Sequence, residues 1–128
     1  GIILDGAHNP QSAEVLAATW RAAYPGKNAA LVFSAVGGKD IRGILALLAP
    51  LASKIFLCPV DTPRAVPASE LAAYLPDNAP PHEVFQDFNS AFTAAISHGD
   101  PVLVAGSLFL VGEARAFLTD GTFQASTQ

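Results

Sequence analysis

The chain has 128 residues, 51% of them hydrophobic and 14% charged, with a formal net charge of −4. That length suits one domain with a core large enough to need no disulfide or metal, and that composition excludes intrinsic disorder. The seven Lys and Arg residues are scattered rather than aligned in a stripe, which argues against a nucleic-acid surface. No apolar run approaches the roughly 20 residues that cross a bilayer, and the lone Cys58 rules out an intrachain disulfide and fits a reducing, cytoplasmic setting.

Short apolar runs alternate with helical patterns from end to end. Ile2–Leu4 reads as a strand; it begins abruptly, without a Met or a signal-peptide pattern, so an upstream part of a longer protein is expected. Pro10–Tyr24 reads as a helix with Asn9 as N-cap, Pro10 in the first turn, and Leu16, Trp20, Ala23 and Tyr24 on one face. Ala29–Ser34 is a second strand. The loop Val36-Gly37-Gly38-Lys39 follows, then a helix capped by Asp40 that carries Ile41, Ile44, Leu45 and Leu48 inward and stops near Pro50. Lys54–Cys58 is a third strand, Pro59 to Val66 a loop, and Pro67–Leu75 a short helix. Glu83–Phe85 and Pro101–Ala105 are strands separated by a helix over Asn89–Ser97. A last helix after Gly106-Ser107 bears Leu110, Ala114, Phe117 and Leu118, and the polar tail Gln124–Gln128 reads as a frayed end.

Strands at this spacing, each followed by a helix, imply βαβ crossovers of one hand and a mainly parallel sheet covered on both faces. The fold class is α/β, a doubly wound, Rossmann-like, three-layer domain. Such folds bind ligands outside the carboxyl ends of their strands, which directs attention to Asp5–Asn9, Ser34–Asp40, Val60–Arg64 and Gly106–Ser107.

Each of these segments supports two readings. Asp5 can accept from a ribose diol and His8 can donate to a phosphate or substrate group, or the segment is a turn before a capped helix. Lys39 is either a carboxylate or phosphate partner at the mouth of the site or a solvated lysine. Arg64 can grip a carboxylate with two N–H groups or form a surface contact of little energy. Ser107 can bind a carboxylate with its hydroxyl and the free N–H groups of the helix behind it, or serve as a plain N-cap. Lys39 is followed by Asp40, not Ser or Thr, so no Walker A motif is present, and G-x-G-x-x-G is absent. Ala105 and Phe109 stand where a nucleophile elbow requires glycine. His8, His82, His98 and Cys58 are too dispersed for a zinc pattern. Cys58 and Trp20 read as core, and Glu113 and Arg115 as a solvated helix face.

The block Leu4-Asp5-Gly6-Ala7-His8-Asn9-Pro10 resembles the signature that opens the C-terminal domain of folylpolyglutamate synthases and dihydrofolate synthases, within the Mur ligase superfamily. Gly38-Lys39-Asp40-Ile41, Thr62-Pro63-Arg64-Ala65 and Gly106-Ser107-Leu108-Phe109-Leu110-Val111-Gly112-Glu113 are similar to later blocks of that family in the same order, while Val36-Gly37 departs from it. The resemblance implies an ATP-dependent ligase that adds L-glutamate to dihydropteroate or tetrahydrofolate through an acyl phosphate. It implies that the phosphate loop and Mg2+ ligands belong to an N-terminal ATPase domain of the same polypeptide, leaving this domain no catalytic residue or metal of its own and no activity alone. On the matching positions, Asp5 would meet the ATP ribose, His8 would lie near the nucleotide, Lys39 and Ser107 would hold the glutamate carboxylates, and Arg64 would be a further substrate contact. A peptidoglycan-precursor ligase domain and a non-enzymatic Rossmann-like binding module are the alternatives; the coding sequence upstream of Gly1 discriminates the second.

Overall fold

A computed structural model of the protein describes residues 1–119; the tail read as frayed, 124–128, lies outside the described residues. Strands β1 (Ile2–Leu4), β2 (Ala29–Phe33), β3 (Ala52–Leu57), β4 (His82–Val84) and β5 (Val102–Ala105) form one sheet in the order β1-β5-β2-β3-β4, with every neighbouring pair parallel. Helices α1 (Pro10–Ala23), α2 (Ile41–Leu48), α3 (Ala68–Leu71), α4 (Phe88–His98) and α5 (Leu108–Thr119) cover both faces.

The strand order explains the layering. The connections from β1 through β4 all step in one direction, and their helices pack on one face, through Leu16 and Trp20 of α1, Ile44 and Leu48 of α2, and Leu71 of α3. The connection from β4 to β5 runs back across the sheet, so a constant crossover hand sends α4 to the opposite face with α5, where Phe88, Phe92, Leu110 and Ala114 pack together. The central strands are buried on both sides. Ala29, Leu31 and Phe33 of β2 face one layer, and Ala30 and Val32 the other.

Local chemistry sets the element ends. Asn9 caps α1 by accepting from the Ser12 N–H at 2.7 Å, and the Ser12 hydroxyl reaches back to the Asn9 N–H, a reciprocal capping box. Asp40 and Asp87 cap α2 and α4 through the N–H groups of Gly43 and Ser90.

Several boundaries differ from the sequence reading by a residue or two at element ends, and four of the differences have a clear cause or consequence. β3 starts at Ala52 because Leu48-Ala49-Pro50-Leu51 tightens into a 3-10 turn that delivers the chain early to the sheet. The segment read as one helix over 67–75 is one α turn followed by a 3-10 turn. α4 starts one residue earlier than read, at Phe88, because Asp87 supplies the cap. β4 is shifted one residue earlier and lies at the sheet edge with His82, Glu83 and Val84 all exposed. In α1, Ala13 and Ala17 share the buried stripe with Leu16 and Trp20, while Ala23 faces solvent.

Candidate functional site at the carboxyl edge of the sheet

Because β5 lies between β1 and β2, the carboxyl ends of β1, β5, β2 and β3 stand side by side. The loops leaving them carry nearly every polar residue singled out above.

Beyond β1, the Asp5 N–H donates to the Val104 carbonyl at 3.0 Å, and the Asp5 carboxylate accepts from the Ala7 N–H at 2.8 Å. This Asx turn folds the carboxylate onto its own loop, so Asp5 lies on the rim without lining the cavity described below. His8 does line it. Its Nδ1 sits 2.9 Å from the Gly6 carbonyl. A carbonyl only accepts, so Nδ1 carries the proton, and Nε2 is left as acceptor in the neutral ring and as donor in the imidazolium.

Beyond β2, Gly38 has φ +83°, a left-handed conformation that suits glycine and turns the chain so that Lys39 reaches the cavity. Beyond β3, residues 60–65 form a tight loop closed by Thr62 N–H to Val60 O at 2.9 Å and Ala65 N–H to Thr62 O at 3.0 Å. The loop is tied to the glycine loop three times. Gly37 N–H donates to Arg64 O at 2.9 Å and Val66 N–H to Ala35 O at 2.9 Å, which together make the Val36–Ala65 antiparallel bridge, and an Arg64 guanidinium N–H donates to Gly37 O at 3.3 Å.

Beyond β5, Gly106 has φ +109°, and a Cβ there would run into the Ser34 backbone carbonyl, so only glycine lets β5 turn into α5 against β2. Ser107 follows, 3% exposed. Its Oγ accepts from the Phe109 N–H at 3.1 Å, so it is the N-cap of α5, and it also lines the cavity.

These loops enclose a cavity of about 180 Å³ bordered by His8, Lys39, Arg64 and Ser107, backed by Val36 and Gly106, and flanked by the exposed Leu108 and Phe109. That is below the roughly 300–1,000 Å³ of drug-sized sites, which fits a small ligand. No carboxylate lines it, and among the described residues neither ion pair, Lys54–Glu83 nor His98–Asp100, involves Lys39 or Arg64. Cationic side chains and the N-terminus of α5 together make the cavity suited to an anion.

A second hollow of about 350 Å³ opens on the same edge outside β3 and β4, lined in part by Asp61, Asp87 and Glu113. Here the sequence reading of Glu113 as a solvated residue is corrected. It is half-buried, and its Oε2 is buried with no partner among the described residues. Desolvation, reinforced by the Asp61 charge, pushes its carboxyl above the usual range. The missed signal is spacing: Glu113 falls between Leu110 and Ala114 on the inner stripe of α5. Arg115 is exposed, as read. Cys58 is fully buried, and burial pushes its thiol up to about 12, consistent with a core residue. Among the described residues no cluster of three or more His, Cys, Asp or Glu side chains is arranged to hold a metal ion, and no helix is long and apolar enough to cross a membrane.

Comparison with known proteins agrees with this geometry. Residues 1–108 match the family model of the Mur ligase glutamate ligase domain. The chain is 38% identical over 118 residues to a probable bifunctional folylpolyglutamate synthase/dihydropteroate synthase of Halobacterium salinarum, covering 89% of this chain and 14% of that one. A Mycobacterium tuberculosis folylpolyglutamate synthase solved with ADP and AMPPCP superposes with a TM-score of 0.85 at 27% identity, covering 92% of this chain and 29% of that one. A bifunctional folylpolyglutamate synthase/dihydrofolate synthase solved with Mn, AMPPNP and L-glutamate bound superposes with a TM-score of 0.79 at 30% identity, covering 91% of this chain and 28% of that one. The chain therefore spans less than a third of the length of each of these relatives. With the parallel sheet, the ordered strand-end loops and the family match in agreement, the chain belongs to the Mur ligase glutamate ligase domain family.

Proposed function

We propose that this chain is the glutamate-side domain of an ATP-dependent ligase that joins L-glutamate to dihydropteroate, to tetrahydrofolate, or to both. The observation that carries the proposal is the convergence of His8, Lys39, Arg64 and Ser107 on one small cavity that no carboxylate lines. Glutamate brings two carboxylates and one amine, so its pocket needs fixed donors and positive charge. Lys39 supplies a point charge on a flexible stem, and Ser107 supplies a hydroxyl beside the first turn of α5. Arg64 is the weaker partner, because one of its N–H groups is already engaged with Gly37 O. Asp5 and His8 belong to the nucleotide side of the rim, where Asp5 would meet the ribose. The L-glutamate recorded in the solved relative supports the ligand class.

The reaction this arrangement serves divides between two lobes. The carboxylate of the folate or dihydropteroate attacks the γ-phosphorus of ATP and releases ADP, giving an acyl phosphate. The glutamate amine, after losing a proton, attacks the acyl carbon, and phosphate leaves. This domain's share is to hold the amino acid still and to help exclude water from the acyl phosphate, which explains why no activated nucleophile is found on its rim. Mg2+, when bound, neutralises phosphate charge. The cationic cavity does not suit it, so its ligands and the phosphate loop are assigned to a preceding ATPase domain of the same cytoplasmic polypeptide.

The test supplies the full-length protein with ATP, L-glutamate and either dihydropteroate or tetrahydrofolate, and follows amide product by mass. Glutamylated product with at least one acceptor is expected. Turnover only with a peptidoglycan precursor, or with no acceptor at all, overturns the proposal.

A further inference from the structure

We propose that a hollow at the opposite, amino edge of the sheet is a second ligand site, for a small planar organic anion. The inference goes beyond the ligase reading and does not depend on it.

Placement comes first. Residues 24–28 lead into β2 and residues 50–51 lead into β3, and between them opens a hollow of about 470 Å³. It is larger than either hollow on the carboxyl edge and falls within the range of small-molecule sites. The five residues of β2 alone put about 17 Å of sheet between it and the basic cavity, so an occupant here takes no part in chemistry at the other edge.

Charge is the second observation. Arg21 and Lys27 border the hollow, no carboxylate lines it, and among the described residues neither cation forms an ion pair. The ordinary reason for a cation at this place covers only one of them. Arg21 lies in the last turn of α1, where the helix dipole alone favours positive charge. Lys27 lies beyond the end of that helix, and the dipole falls off within the last turn. An anion placed between the two is attracted by both.

The third observation is that the walls are fixed in advance. Tyr24 N–H donates to the Trp20 carbonyl at 2.8 Å, Lys27 N–H to the Tyr24 carbonyl at 3.0 Å, and Trp20 Nε1–H to the Lys27 carbonyl at 3.2 Å. These bonds tie the loop to the helix end, and the Trp20 and Tyr24 rings pack with centroids 4.4 Å apart. Tyr24, Pro25, Pro50 and Leu51 supply the apolar wall. Two of them are prolines, whose rings have little freedom to lose, so the wall is ordered before a ligand arrives. A stiff apolar wall with cations on its rim suits a flat apolar body that carries a carboxylate or sulfonate.

The probe is 2-naphthoate, followed through the amide and indole NMR signals of the 128-residue chain. Saturable shifts are expected at Trp20 Nε1–H and at the Lys27 and Asn28 amides, with a Kd of about 1 mM or below. Neutral 2-naphthamide has the body without the charge, and inorganic phosphate has the charge without the body; each should bind at least about tenfold more weakly. Combining Arg21→Gln with Lys27→Gln, both exposed positions, should weaken naphthoate about tenfold and bring it level with naphthamide. Lys39→Ala, in the basic cavity, should leave the titration unchanged. Shifts that do not saturate, equal binding of naphthamide to the wild type, shifts centred on His8 and Ser107, or full-strength binding in the double variant overturns the proposal. If the double variant does not fold, the three probes on the wild type still decide. Calorimetry on the full-length protein should find naphthoate binding that the double substitution weakens; no effect there would mean that another segment of the polypeptide fills the hollow, and the proposal fails.

Discussion

Two hollows open on the carboxyl edge of this sheet. One lies among the ends of β1, β5, β2 and β3 and is lined by His8, Lys39 and Arg64; the other lies outside β3 and β4 and is lined by Asp61, Asp87 and Glu113. The larger is the acidic one, so size does not decide which is the ligand site. Placement at strand ends guarantees polar loops in any doubly wound domain, and the inventory of charge then decides what a loop cluster can hold. Among the described residues the two cationic side chains of the basic hollow form no ion pair, and a helix N-terminus is added to them. In the acidic hollow three carboxylates of one sign stand together: Asp87 caps α4 through Ser90, and burial pushes the Glu113 carboxyl above its usual range. Positive charge beside a helix N-terminus suits an anionic ligand, and a cluster of like-charged carboxylates does not.

The largest expected effect strikes the turn beneath the basic hollow. Gly106→Ala forces a side chain into a left-handed conformation and against the Ser34 carbonyl, and should cost about 3 kcal/mol of stability. Urea unfolding followed by the fluorescence of the buried Trp20 checks this; an unchanged midpoint would mean that β5 and β2 separate more easily than their packing suggests.

Next, the charge contrast itself can be broken. If the full-length protein has the proposed ligase activity, Lys39→Ala should raise its KM for L-glutamate by about tenfold or more, since a charge-assisted contact is lost. Asp87→Asn in the other hollow should leave that KM within about twofold. Equal effects at both positions would remove the distinction between site and scaffold.

A smaller effect sharpens the difference between the two acidic side chains. The Ser90 backbone and side chain hold the Asp87 carboxyl below its ordinary value, so its contribution to stability is present above that value and is lost as pH falls through the folded one. Burial holds Glu113 above its ordinary value, so the contribution of its protonated form is present below that value and is lost as pH rises through the folded one. Stability measured across the acid range should therefore lose part of its acid limb in Asp87→Asn, whereas Glu113→Gln should be less sensitive to rising pH and no less stable near neutrality. The smallest signal is at Cys58. With its thiol pushed up to about 12 and no exposure, it should resist alkylation in the folded chain and react once denaturant is added.

Much of the fold was legible in the residues because the central strands are continuous apolar runs and the helices carry their own caps at Asn9, Asp40 and Asp87. Strand order was not, since inserting β5 between β1 and β2 depends on long-range packing that no local pattern encodes. The bulge at Ser53, which lets Ala52 and Ile55 face the same layer although three residues apart, was hidden for the same reason. Four of the five candidate site residues meet in one cavity. Asp5 does not, because its Asx turn outcompetes an outward orientation. Glu113 was misread because its charge outweighed its place on the inner stripe of α5.

The most direct test of the central claim is a crystal structure of the full-length protein with L-glutamate bound. The glutamate carboxylates are expected within about 2.7–3.2 Å of Lys39 Nζ and Ser107 Oγ, inside the basic cavity. Glutamate seated elsewhere, with Lys39 turned into solvent and Ser107 serving only as the cap of α5, would contradict it.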